Sequence, residues 1–476
     1  MASSTSIDAL ASAIVARFLR TYDYTETLEA FVREAGLPPD VGQASGDDTH
    51  NLTIQRLLEE KITFDHTVNF ERYGKDDKDN EGWSIPAPSK PTVVQTSTSS
   101  NILSASVEPW KKLGHDEAAP HSVQPLILAT SADRKAHLFE TAPAHASLAS
   151  LPVTDSPVLS YVSILDGQYI LMANMAGNLL LQQGSRVLDK RKDHAKYVVK
   201  VVVHEDQSFS GSRRYWIATA GWDATVYLYR MDIPEDSQPI IGEPVAHIKL
   251  TTNPESLLFV PNIDSGELLL LVSRRDSTYI YYYEVASSNS ESRLLGKQNL
   301  APHSNAWVAF SPAYMALSPH DPGLLAVATS TLPHLKVMIV RLLFPSTESL
   351  GDSASADPVT QASQAMASLA LQNREDAAIL LQANTFAPQT AYSTPQVVWR
   401  PDGSGIWVNG DDGLVRGIET KTGKVVATLN NGHELGSKVR TIWAGYVDIP
   451  GKDDCFTQQE WVISGGFDKK LIVWKV

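Results

Sequence analysis

The chain has 476 residues, of which 43% are apolar, 8% aromatic and 20% charged, a globular balance that excludes wholesale disorder. Forty basic against 54 acidic residues leave a net charge of −14 with no basic run, which argues against non-specific nucleic-acid binding. The one cysteine, Cys455, excludes a disulfide scaffold or a cysteine-built zinc site and fits a reducing compartment.

Residues 5–38 read as a helical hairpin. Ile7, Leu10, Ile14 and Phe18, with Val15 and Leu19, repeat at three/four spacing and form one apolar stripe. The stripe breaks at Thr21–Asp23, resumes with Thr27, Leu28, Phe31 and Val32, and stops at Gly36 and Pro38–Pro39. A hairpin this short cannot bury both faces alone, so it needs a partner surface. The stretch LASAIVARFLRTYDYTETLEAFVREAG resembles the LisH motif. The matching positions are Ile14–Val15, Phe18–Leu19, Asp23–Tyr24, Thr27 and Phe31. Asp23 stands where that motif has Gly, and Asp tolerates turn and left-handed backbone better than most residues. The resemblance implies a homodimer, with Leu10, Ile14, Phe18, Leu19, Tyr24, Leu28 and Phe31 as dimerisation residues.

Residues 48–72 suggest a further helix, with Ile54, Leu57, Leu58 and Ile62 on one face. Residues 73–91 read as a charged, Pro-rich linker in which Trp83 is the exception, a candidate to dock locally.

From residue 92 to 476 the texture is short β-branched strands between Gly/Asp/Asn turns. YWIATAGWDATVYLYRM (215–231) and EWVISGGFDKKLIVWKV (460–476) align, and five weaker copies turn near Asp133, Ala176, Asp276, Leu332–His334 and Asp412. The intervals Asp133–Ala176, Ala176–Asp223 and Asp223–Asp276 are 43, 47 and 53 residues. Seven copies near the ~40–45-residue blade length predict a seven-bladed β-propeller. The long fifth-to-sixth interval places a Ser/Ala-rich insertion, residues 345–376, in the fifth blade, with one helical turn expected around Ala362–Leu371. The chain ends after the third strand of the seventh blade, so Thr92–Thr96 is expected to supply the fourth strand and close the ring.

The copies resemble WD40 repeats. That family's buried relay is a His before the first strand, Ser/Thr on the second, Asp in the next turn and Trp on the third. Blade seven has all four as His433, Ser464, Asp468 and Trp474, and blade three has His194, Thr219 and Asp223 with Tyr229 in the Trp place. Their role is structural, since a buried carboxylate must be hydrogen-bonded.

No phosphate-binding Gly loop, HExxH or GxSxG is present, and His115, His121, His137 and His145 lack ligand spacing. No catalytic residue, metal or cofactor is expected. Binding is better supported, because the Asp turns and His loops of a propeller open on one face. The residue before each Asp then points to that rim, giving Ala132, Trp222, Arg275, Asp411 and Phe467. Trp222, Arg275 and Phe467 are the residue types favoured as anchors and form the expected binding face. The chain as a whole reads as an all-β seven-bladed WD40 propeller carrying a LisH hairpin. This layout implies a non-enzymatic scaffold in a multiprotein complex of the cytoplasm or nucleus. Its partners are proteins, with no membrane contact and no direct nucleic-acid binding. The resemblance also leaves open a ubiquitin-ligase receptor, although the Trp-Asp-x-Arg box that recruits cullin adaptors is absent, and a chromatin or RNA-processing component. The acidic balance favours a basic or neutral partner surface.

Overall fold

A computed structural model describes residues 4–43, 53–55, 58, 83, 85–111, 123–152, 156–206, 213–234, 237–285, 291–302, 310–345, 361–450 and 456–476. Most of the expected helix 48–72, residues 73–82 of the expected linker, residues 346–360, His115, His121 and Cys455 lie outside the described residues. The chain divides into two compact units, one built on residues 1–73 and one holding all the sheets.

The first unit contains two helices, α1 (Ser4–Thr21) and α2 (Thr25–Glu34). They are joined by a turn in which Asp23 takes φ +57°, the left-handed conformation that glycine accepts most cheaply. The amide of Tyr24 donates to the Leu19 carbonyl at 2.9 Å and so closes the end of α1. Ile14, Ala16 and Leu28 are buried within this unit. Arg20 donates to the carbonyls of Pro39 (2.6 Å) and Val41 (3.2 Å) and ties the returning chain to α1. Ile54, Gln55 and Leu58 are helical, and the Gln55 amide donates to the Tyr22 hydroxyl at 2.9 Å.

The second unit is a seven-bladed β-propeller, with seven four-stranded antiparallel sheets among the described residues. Blades one to six are consecutive in sequence: 102–152, 158–191, 198–249, 254–299, 312–388 and 397–429. The first strand of each blade touches the first strand of the next all the way round, so these strands line the axis. Apolar clusters lie between neighbouring blades; Leu171 and Leu181 of blade two, for example, pack with Val201, Ile217 and Tyr229 of blade three. The inner strands of the sheets are thereby buried on both faces, and strands such as Tyr169–Asn174 are buried along their whole length.

Blade seven closes the ring. Its own strands are Val439–Pro450, Phe456–Gly466 and Leu471–Lys475, and Lys90–Val94 pairs antiparallel with the last of them, from Lys90 opposite Lys475 to Val94 opposite Leu471. This is two residues earlier than the expected Thr92–Thr96. Val94 must reach the core that it shares with Ile102, Trp461 and Ile463, and the chain then turns to enter blade one at Ile102. The stretch read as linker therefore ends inside the propeller. The insertion in blade five also differs from expectation. It carries α3 (Gln361–Ala377), 17 residues long and free of Gly and Pro, a composition that sustains several turns rather than one. Glu375 on α3 is buried and accepts the Asn299 amide at 2.7 Å.

Candidate functional site

The turn between the second and third strands of six blades is stitched to the loop before the blade's first strand. Ala132, Met175, Trp222, Arg275, Ser330 and Phe467 donate their amides to the carbonyls of Asn101, Pro157, Tyr197, Asn253, Ser311 and Lys438, at 2.8 to 3.0 Å. These bonds mark one equivalent position per blade on a common face, and they add Met175 and Ser330 to the rim read from the sequence. In blade six Asp411 holds the corresponding place, with its amide on the Pro388 carbonyl at 3.2 Å.

Behind the rim sits the relay. In blade seven His433 Nδ1 lies 3.0 Å from both Asp468 oxygens, His433 Nε2 lies 2.8 Å from Ser464 Oγ, and Trp474 Nε1 donates to that same Oγ at 2.8 Å. Trp474 can only donate and the carboxylate can only accept, which sets the order for a neutral imidazole. The indole donates to the serine, the serine hydroxyl to Nε2, and Nδ1–H to Asp468. Burial pushes the Asp468 carboxyl up, but its bonds to His433 and to the amides of Glu434 and Lys470 outweigh this and hold it below the usual carboxylate range. Blade three repeats the arrangement, with His194 at 3.0 Å from Asp223 and 2.9 Å from Thr219. Tyr229, in the Trp place, donates to Asp193 at 3.0 Å.

A glycine two residues before the Asp makes room for the histidine. A Cβ on Gly466 would lie 2.6 Å from Asp468 Oδ1 and 2.9 Å from His433 Nδ1, and one on Gly221 would lie 2.1 Å from His194 Nδ1. Blade one has Ser131 at that place. Its acid is braced instead by His137 from the third strand, 3.0 Å from Asp133 and 2.9 Å from Ser150. Blade six uses Arg416 in the equivalent strand position, with 2.5 and 3.1 Å contacts to Asp412. Sequence reasoning missed both, because it looked for the partner only in the loop. The distance of four residues from Asp to the basic side chain is the signal that finds them.

Of the three expected anchors, two come together. Trp222 is half-buried and packs against Tyr197 with ring centroids 4.6 Å apart and planes tilted by 36°, and the Arg275 guanidinium of blade four lies 5.7 Å from the Trp222 ring. Arg275 Nε also donates to Glu255 at 2.9 Å. Phe467 stands apart on blade seven, 42% exposed. Nearby loops carry Tyr392 and Leu435, 89% and 86% exposed, and the Lys438 ammonium joins them to the rim through Thr390 (3.0 Å) and Asp411 (2.9 Å).

Trp83 does dock. It enters a slot over Gly405 and Gly417, edge-on to Trp407 at 5.0 Å, with the Arg400 guanidinium 4.5 Å from its ring. Arg400 is fully buried and makes a two-pronged pair with Glu460 at 2.6 and 2.9 Å. A cavity of about 410 Å³ along the axis is lined by first-strand residues that include Lys200, Leu258, Tyr314, Leu317, Val398 and Trp399.

In the hairpin, Ile14 and Leu28 are buried by its own packing, Phe18, Leu19 and Phe31 are half-buried, and Tyr24 is exposed; Leu10 lies on α1. Phe18, Tyr22 and Tyr24 form an aromatic cluster with centroids 4.9 to 6.4 Å apart. Among the described residues there is no cluster of His, Cys, Asp and Glu that could hold a metal, and no helix long and apolar enough to cross a membrane.

The chain matches two family models. One is the β-propeller domain of UCP007778, over residues 117–475, and the other is the LisH domain of UCP007778, over residues 12–39. No curated protein matches it.

Proposed function

The chain belongs to the UCP007778 family of LisH and β-propeller proteins, and from that premise we propose a non-catalytic scaffold that dimerises through its hairpin and captures a protein partner on the rim face of its propeller. A LisH hairpin joined to a propeller is a protein-interaction architecture. The observation that carries the finer reading is the rim itself. Trp222, Tyr197 and Arg275 form a preassembled aromatic and cationic patch across two blades, of the composition that dominates interface energetics. The relays behind it occupy their His, Ser or Thr, and Asp groups with one another, which supports a bracing role rather than a nucleophilic one. Dimerisation is supported by the aromatic cluster of the hairpin, where Tyr22 and Tyr24 are half exposed and Phe18 is only half-buried.

The test is affinity purification with mass spectrometry of the full chain, the chain lacking residues 1–40, and the Trp222→Ala, Phe467→Ala double variant. A common set of partners, lost with the rim variant and weakened without the hairpin, is the expected result. A folded rim variant that keeps every partner refutes the face. Light scattering of the full chain and of Phe18→Glu tests the hairpin; a full-length monomer refutes dimerisation.

A further inference from the structure

Six of the seven first strands begin with a bulge at the same register. The extra residues are Leu103, Leu159, Val199, Glu255, Ala313 and Arg440. They ring the rim end of the axial channel, because the first strands line the axis and each opens beside its stitched turn. Four of the six are apolar. Glu255 is charged, and the rim residue of its own blade, Arg275, answers it at 2.9 Å. Arg440 is the other charged residue. The rim residue of its blade is Phe467, which offers no charge. Among the described residues no carboxylate, carbonyl or hydroxyl bonds to the Arg440 guanidinium, and burial draws its pKa down with no acid opposing the shift.

One residue beyond the bulge of blade three, Lys200 points along the same axis. Its ammonium lies 4.5 Å from the Tyr314 ring centroid and donates to the Tyr314 hydroxyl at 3.0 Å, again with no carboxylate. Arg400, which also lines the cavity, is neutralised by Glu460. Among the described residues the axis of this chain, whose net charge is −14, therefore carries two cations, Arg440 and Lys200, without a carboxylate partner. A half-buried arginine left unpaired costs stability, and proteins keep such costs where a ligand completes the pair.

We propose that the rim end of the axial channel recognises an acidic peptide segment of a protein partner, with an Asp or Glu carboxylate docking on Arg440 and an adjacent apolar side chain packing on Phe467. The exposed Tyr392, Leu435 and Phe467 favour a peptide over a small inorganic anion, which would leave them bare. Two cations are too few for a nucleic-acid backbone, which engages roughly 6–10 phosphates in a typical complex. The proposal rests on the rim reading above and deepens it.

A random dodecapeptide phage library is selected against the full-length protein, Arg440→Gln, Arg440→Lys and Arg440→Glu. Selected peptides are then synthesised and titrated by fluorescence anisotropy. The wild type is expected to enrich Asp or Glu at one position next to an apolar residue. Binding should fall at least tenfold in Arg440→Gln, be largely retained in Arg440→Lys, and shift towards Lys or Arg at that position in Arg440→Glu. Arg440→Gln should melt at or above the wild-type temperature, since it removes an unpaired charge. Binders without acidic enrichment, or binders indifferent to Arg440→Gln, overturn this inference and leave the rim reading standing. A library that yields no binder overturns both. If Arg440→Gln unfolds while Arg440→Lys folds and binds unchanged peptides with no acidic preference, Arg440 is structural and the inference fails.

Discussion

The relay of blade seven is sterically tied to Gly466, and Gly466→Ala measures that tie. The new Cβ would sit 2.6 Å from Asp468 Oδ1 and 2.9 Å from His433 Nδ1, where ordinary contacts are no closer than about 3.4 Å. The strand backbone at Gly466 is held by its pairing with Val439, so relief must come from the side chains. Moving the imidazole by even half an ångström breaks its 3.0 Å bond to Asp468 and loosens its 2.8 Å contact with Ser464. A hydrogen bond to a charged group contributes about 1.5–3 kcal/mol, and overpacking costs about 1–3 kcal/mol. The two overlap, which gives an expected loss of about 3 kcal/mol. Urea unfolding followed by tryptophan fluorescence reads it directly, because Trp474 is part of the relay. The cycle with His433→Ala supplies the decisive comparison: without the imidazole one clash is gone and Asp468, no longer held by His433, can turn away from the Cβ, so the double variant should be less destabilised than the sum of the singles by more than ~1 kcal/mol. Strict additivity, or a Gly466→Ala loss below ~0.5 kcal/mol, refutes the claim that this glycine exists to admit the histidine.

Four further outcomes follow from the same geometry. A chain that starts at residue 98 leaves the Leu471–Lys475 edge unpaired and should melt well below one that starts at residue 83; equal melting refutes the closure. Glu460→Gln strands the fully buried Arg400 and should cost about 3–5 kcal/mol by urea unfolding, with much of it restored in an apolar Arg400, Glu460 double replacement. Asp223 and Asp468 have folded pKa values below the ordinary ~3.9 of a free carboxyl, so their contribution is fully present above that value and is lost as pH falls through the lower folded one. The stability gap between wild type and the Asp223→Asn, Asp468→Asn variant should accordingly be flat from neutral pH to about 4 and shrink below it; a gap that shrinks near neutrality contradicts the assignment. Asp23→Gly removes a left-handed penalty of ~1 kcal/mol and should slow amide exchange in the hairpin, while Asp23→Val should speed it.

The blade count was legible because five of the seven turns between the second and third strands carry an Asp, at 133, 223, 276, 412 and 468, and that local mark survives even where the relay has decayed, as at Asp276. What was not legible depends on contacts between distant segments. His137 braces Asp133 from a neighbouring strand, and no loop histidine announces it. Trp83 sits in a stretch whose composition says linker, and only the paired glycines Gly405 and Gly417, more than 300 residues away, reveal the slot that receives it. Arg440 looks in sequence like one more surface cation. Its distinction is that no acid among the described residues answers it, which becomes visible only when the bulged register shows Glu255 and Arg275 satisfied at the same place in blade four.

Net charge and local charge pull in opposite directions on this molecule, and that bears on how the scaffold would work. A chain carrying −14 repels an acidic partner at long range, with a field that decays over roughly 8 Å at physiological ionic strength. Arg440 and Lys200 attract it only once it reaches the channel mouth. Such a site has no electrostatic steering, so its on-rate stays at the ordinary docking level and its affinity rests on a few desolvated contacts. In the proposed dimer, two propellers linked through the hairpin would turn the second weak contact into an intramolecular one, which can raise overall avidity by about 10² or more with no new contact. The pairing of the two modules in one chain then has a physical reason. It also yields a distinguishing expectation: Phe18→Glu should weaken capture of a bivalent acidic partner far more than that of a single peptide, and moderate salt should relieve the long-range repulsion before it weakens the pair at Arg440.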